Sequence, residues 1–172
     1  LEVIWRDIHE NHAPCAYNSW EISNAFSLAI YAGLSTYKCA EENLVQHEED
    51  FAAYWNWKRS VSSVVEESST PSNDLPTRGA QERFILDMER VCDGRSFLFT
   101  EKGYYGLGPS ISKRGDLCCV LFGAKVPFIL RRFGEENHYK LIGESYIHGI
   151  MEGEAVAMIQ KNLLSEESFI IC

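Results

Sequence analysis

Nine of the chain's twelve glycines fall between residues 101 and 155, and that clustering limits what the second half can form. Glycine reaches positive φ without a Cβ penalty, so it marks tight turns and bulges and weakens helix interiors. Between the glycines stand short runs rich in β-branched and aromatic residues, at 96–100, 117–122, 127–131, 139–142 and 146–150. Runs of this length read as strands joined by turns. Pro127 has no N–H to donate, which places it at an edge or a strand start. The pattern predicts a small, curved antiparallel β-sheet or partial β-barrel over residues 94–155.

The first half carries the other period. Ile22, Phe26, Ile30, Gly33 and Tyr37 recur at helical spacing and predict a helix over 20–37. A second helix starts near Glu41, where acidic side chains suit the positive end of the helix dipole, and presents Leu44, Phe51, Tyr54, Trp55 and Lys58 along one face. Trp57 falls off that stripe. A third helix over 78–91 aligns Phe84, Ile85, Met88 and Val91. Residues 60–78 are rich in Ser, Pro and acidic groups and read as a mobile loop, or as a lid if they close over a pocket. A short helix at 154–164 and a strand at 168–171 complete an α+β chain, N-terminal helices packed on the sheet, in one domain over 1–172.

The net charge of −9 argues against nucleic acid or an anionic membrane as partner. Residues 101–140 hold seven Lys/Arg against four Asp/Glu, a local +3 that leaves −12 for the remainder. Solvated strand edges explain that excess better than an anionic ligand. No secretory leader and no apolar run of transmembrane length is evident. The six cysteines, at 15, 39, 92, 118, 119 and 172, show no zinc-ligand spacing and read as free thiols in a reducing, intracellular (cytoplasmic) setting. Phosphate-binding loops, a dinucleotide fingerprint, a zinc-hydrolase helix and a nucleophile elbow are all missing, so the expectation is no cofactor and no metal.

The run GRSFLFTEKGYYGLGPSISKRGDLCCVLFGAKVPFILRR, followed by HYKLIGESYIHGIMEGEA, resembles the tail of fungal heterokaryon-incompatibility (HET-domain) proteins. The resemblance rests on Thr100, Gly103, Gly106, Leu107, Gly108, Pro109, Gly115, Asp116, Pro127, Phe128, Leu130 and Arg131. It continues through Gly143, Glu144, Tyr146, His148, Gly149, Ile150 and Met151. It covers 94–155 closely and the upstream helices loosely. The HET domain itself, linked to incompatibility and cell death, is not in this stretch.

Residue chemistry gives the candidate sites. Asp116, in a Gly-Asp turn, should cap backbone N–H groups. Arg131 should pair with Glu144 across strands. Glu144, Tyr146 and His148 fall on one strand face at two-residue spacing, either a proton-transfer row lining a cavity or a hydrogen-bonded seam. The candidate catalytic set is therefore Tyr146, His148, Arg131 and Glu144. Tyr31, Tyr54, Trp55 and Trp57 on the helices, with Tyr104, Tyr105 and Phe128 at the rim, are the candidate lining of a pocket for a small apolar molecule. His9, His12, His47 and His138 read as surface residues. Two functions follow: a cofactor-independent cyclase of fungal secondary metabolism, acting by preorganisation, or the regulatory, protein-interaction module that the resemblance implies. An enclosed apolar pocket favours the first, and a filled interior with an exposed apolar patch favours the second.

Overall fold

The computed structural model describes residues 2–10, 14–19, 21–35, 38–39, 43–63, 75–134 and 136–172. The architecture is α+β, as the change of period predicts. Helix α1 (Glu2–Glu10) packs Ile4, Trp5 and Ile8 against the core. Helix α2 (Ile22–Ile30) is buried from Ala25 to Ile30. It stops seven residues before the expected end at 37. Ala32 adopts φ 49°, Gly33 donates to Leu28 O (2.9 Å) and Ala32 to Ala29 O (3.2 Å). That pair of bonds is a left-handed C-terminal cap, and it turns the chain into the small hairpin β1 (Leu34–Ser35) and β2 (Lys38–Cys39).

Helices α3 (Leu44–Ser63) and α4 (Leu75–Cys92) pack along each other. Each is longer than expected, so 60–63 and 75–78 are helical rather than loop. The rest of the expected mobile loop, 64–74, lies outside the described residues. Pro76 sits in the first turn of α4, where its missing N–H has no helical partner to lose.

Strands β3 (Arg95–Phe99), β4 (Tyr105–Pro109) and β8 (Tyr146–Ile147) form one sheet in that order. Strands β5 (Leu117–Cys119), β6 (Phe128–Arg132), β7 (His138–Glu144) and β9 (Ile170–Ile171) form the other. Only Ser145 separates β7 from β8, and its N–H donates to Pro127 O (2.9 Å). One bent run of chain thus passes from sheet to sheet, which is how a partial barrel turns a corner. Among the described residues the ladders do not close into a full barrel. Strand β9 pairs parallel to β7, a departure from the all-antiparallel expectation. Helix α5 (Glu154–Gln160) precedes β9.

Strand β4 is not among the runs expected to form strands and is the centre of its sheet. A Cβ on Gly106 would run into the Tyr146 carbonyl oxygen and Ile147, and one on Gly108 would lie 2.5 Å from Leu98 Cδ1. The glycines are there because neighbouring chain comes too close for a side chain. The core joins both halves: Phe26, Ile30, Tyr31, Phe51, Tyr54, Phe84, Tyr105 and Tyr146 belong to one buried cluster.

Candidate functional site

Tyr146 and His148 meet as their spacing predicts. The Tyr146 hydroxyl and His148 Nδ1 are 3.1 Å apart, and either atom can hold the shared proton. The Tyr146 ring is fixed by the turn after α2. A Cβ on Gly33 would lie 2.8 Å from Tyr146 Cε2. His148 is half-buried just beyond β8, and its N–H donates to Tyr105 O (2.9 Å).

Around this pair stand three tyrosines. Tyr17 packs its ring 5.0 Å from that of Tyr105, 5.4 Å from His148 and 6.0 Å from Tyr104. Tyr104 donates to Met158 Sδ on α5 (3.9 Å), and Tyr105 Oη lies 3.6 Å from Cys15 Sγ. Burial pushes the Tyr17 and Tyr105 phenols well above the usual tyrosine range, so both stay protonated hydrogen-bonding groups. Tyr17 is the member of this cluster that sequence reasoning missed. It lies in an irregular stretch with no period to flag it.

The other two members of the candidate catalytic set are elsewhere. Arg131 does not pair with Glu144. It makes a bidentate contact with Asp116 (2.8 and 2.7 Å) and donates to Ile111 O (2.7 Å). The cross-strand register explains the difference, because Arg131 faces Lys140 while Glu144 faces Phe128. The Arg131 guanidinium holds the Asp116 carboxyl below its ordinary range, and Asp116 also accepts the Lys113 N–H (2.8 Å), the turn cap expected of it. Glu144 is exposed and separated from Tyr146 by the Ser145 bend. It lines an open groove of about 260 Å³ with Asp93, Gly94, Arg95 and Pro109.

The expected pocket lining splits similarly. Tyr31, Tyr54, Trp55 and Trp57 gather on the helical side, packed ring to ring. Tyr54 stacks on Phe84 at 4.8 Å, Tyr31 lies 4.5 Å from Phe84, Trp55 5.8 Å from Trp5, and Trp57 6.1 Å from Tyr54. Tyr31 is buried and donates to Phe84 O (2.8 Å). Its phenol too is pushed up, chiefly by burial. Phe128 sits half-buried in the other sheet, opposite Cys119 and Glu144.

His47 is not on the surface. It is 1% exposed, with Nε2 2.9 Å from Ser27 Oγ on α2. The signal was available, since His47, Asp50, Phe51 and Tyr54 follow the helical repeat. His138 is half-buried and near the Glu136 carbonyl, while the side chains of His9 and His12 lie outside the described residues. Of the cysteines, Cys15 and Cys172 are exposed free thiols and Cys92, Cys118 and Cys119 are half-buried free thiols; the Cys39 side chain is outside the described set. No described helix is long and apolar enough to cross a membrane.

The fold and this seam define a class: a small α+β unit whose helices pack on the β3–β4–β8 sheet, which the chain joins to a second, four-stranded sheet through one bend. Residues 30–165 match the Het-6 β-barrel domain, and the chain belongs to that family. It is also similar to heterokaryon incompatibility protein 6, OR allele, of Neurospora crassa, at 40% identity over 121 residues. That match covers 67% of this chain and 18% of the Neurospora protein, so the chain corresponds to under a fifth of that relative's length. No solved structure matches the chain.

Proposed function

We propose that the chain is a non-catalytic recognition module of the heterokaryon-incompatibility kind, acting as one intracellular domain whose partner is another protein. One observation carries the reading: a strip of exposed apolar side chains, Ile111 in the turn after β4 and Phe133 just beyond β6, with the exposed Lys140 of β7 beside it. Arg131 reaches Ile111, which is 60% exposed, and lies opposite Lys140. The Lys140 ammonium sits 3.6 Å over the ring of Phe133, which is 50% exposed. Apolar anchors rimmed by charge are the usual make-up of a protein-binding surface. The aromatic side chains on the helical side are meanwhile occupied with one another. The exposed Lys140 ammonium beside Phe133, in a chain of net −9, favours a partner with an acidic surface.

Native mass spectrometry of the chain recovered from fungal cells tests this. The expected result is a complex with a second protein that disappears in the folded double variant Ile111→Ser/Phe133→Ser. Recovery of a lone chain carrying a non-covalent small molecule overturns it. That second outcome is what a small-molecule site, cyclase or otherwise, requires. The Tyr146–His148 hydrogen bond is the contact that supports it, because a half-buried imidazole with a fixed phenol can bind a carbonyl.

A further inference from the structure

Tyr17 occupies a place in the β4–β8 ladder that a backbone bond normally fills. The ladder pairs Leu107 with Tyr146 and Gly106 with Ile147. The next rung sets Tyr105 against His148, and one of its two bonds is present, from His148 N–H to Tyr105 O (2.9 Å). The reciprocal bond would run from Tyr105 N–H to His148 O. In its place the Tyr17 hydroxyl accepts from Tyr105 N–H (3.0 Å) and donates to His148 O (2.9 Å). A hydroxyl has one donor and two acceptor lone pairs, so the notch is matched to it.

The ring has a slot of its own, between Tyr104, Tyr105 and His148. The rest of the strap is held by Ala16 N–H to Gly103 O (3.2 Å), by the 3.6 Å contact of Cys15 Sγ with Tyr105 Oη and by Pro14 crossing close over Gly103. Every residue that builds the notch lies within the matched domain of 30–165, whereas Tyr17 lies before it. The receptor belongs to the domain and its occupant to the segment ahead.

We propose that the Tyr105–His148 notch is a binding site for a phenol hydroxyl, filled in cis by Tyr17. The strap of residues 14–19 is thereby a latch. While closed it covers one face of the His148 imidazole; when the key leaves, the Tyr146–His148 pair is uncovered.

Two variants test it. Tyr17→Phe keeps the ring and removes the hydroxyl. Hydrogen exchange at the Tyr105 amide is expected to quicken about tenfold, because that donor loses its partner. Tyr17→Gly empties the slot, and acylation of His148 by diethyl pyrocarbonate, mapped by peptide mass spectrometry, is expected to rise several-fold. Adding p-cresol should restore both the His148 shielding and the Tyr105 protection, while toluene should not restore the latter. Tyr105 protection in Tyr17→Phe equal to that of the parent overturns the proposal, as do equal effects of p-cresol and toluene. If Tyr17→Gly fails to fold, the Tyr17→Phe exchange result decides alone.

Discussion

His47 and Ser27 join α3 to α2 through a 2.9 Å contact, with both residues 1% exposed or less. The direction of that bond follows from the neighbours. The Ser27 hydroxyl donates to Asn24 O (3.0 Å), which leaves its oxygen to accept from His47 Nε2–H. The proton is therefore on Nε2. Nδ1 is a buried lone pair with no partner among the described residues.

That arrangement makes stability depend on pH. Burial, first, pushes the His47 pKa down to about 4, against the opposing pull of Asp50, Glu48 and Asp87. Arg83 is taken up by Asp50 through two contacts of 3.1 and 2.7 Å. The unfolded chain has an ordinary histidine near 6.5, so between 6.5 and 4 it binds the proton that the folded chain refuses. The contribution is fully present above pH 6.5 and falls away as pH drops towards 4, by about 3 kcal/mol in all. Urea unfolding of the parent and His47→Gln at pH 7, 6 and 5 measures it. The stability gap between the two should narrow with acid; a constant gap means that His47 is not the titrating group.

The two glycines of β4 should not be equally intolerant. In Gly106→Ala the new methyl meets a backbone carbonyl, Tyr146 O, which cannot move without breaking the rung between β4 and β8. In Gly108→Ala it meets Leu98 Cδ1 at 2.5 Å, the far end of a side chain that can rotate. Costs of about 3 kcal/mol and about 1 kcal/mol are expected. Denaturant midpoints give the order, and a reversed order would mean that the close approach at Gly106 has been misplaced.

These glycines also explain why β4 was hard to read. Strand propensity counts side chains that pack on a pleated surface, and Gly106 and Gly108 have none. Their role is set by residues 98 and 146, which no local window contains. The longer-range features failed together for that reason: Arg131 was matched to Glu144 by sign, but the register puts Asp116 within its reach. Where the signal was periodic, the reading succeeded, as in the central turns of α2, α3 and α4 and in the pairing of Tyr146 with His148. Helix α1 carries Ile4, Trp5 and Ile8 at helical spacing, a signal legible in the sequence itself.

Thiol chemistry should divide by burial. Desolvation raises Cys118 and Cys119 to about 11, so at pH 8 few of their thiols are ionised, and both residues are half-buried. Cys15 and Cys172 are exposed. Brief treatment of the native protein with iodoacetamide at pH 8, followed by peptide mapping, should label these two well before Cys118 and Cys119. Early labelling of the β5 pair would show that the strand opens readily under native conditions.

The Tyr146–His148 pair separates the two functional readings, provided that folding and function are measured on the same variants. Tyr146→Phe keeps the ring that packs against the turn at Gly33 and removes the 3.1 Å hydrogen bond to His148, a loss of about 1 kcal/mol. His148→Ala also removes the imidazole beside Tyr17, but its backbone bonds to Tyr105 and Tyr17 can persist. A recognition module that binds through the distant Ile111–Phe133 strip should keep its partner affinity in both variants. A small-molecule site at the pair should lose turnover by about 10²–10³ if the hydrogen bond meets developing charge. Trp55→Ala is the control for misattribution. Trp55 packs on Trp5, Phe51 and Tyr54, so its loss should lower stability by about 3 kcal/mol. Any activity change in that variant must be compared at equal folded fraction. Loss of partner binding in folded Tyr146→Phe, with the strip intact, would move the recognition surface from the second sheet to the seam beside Tyr17.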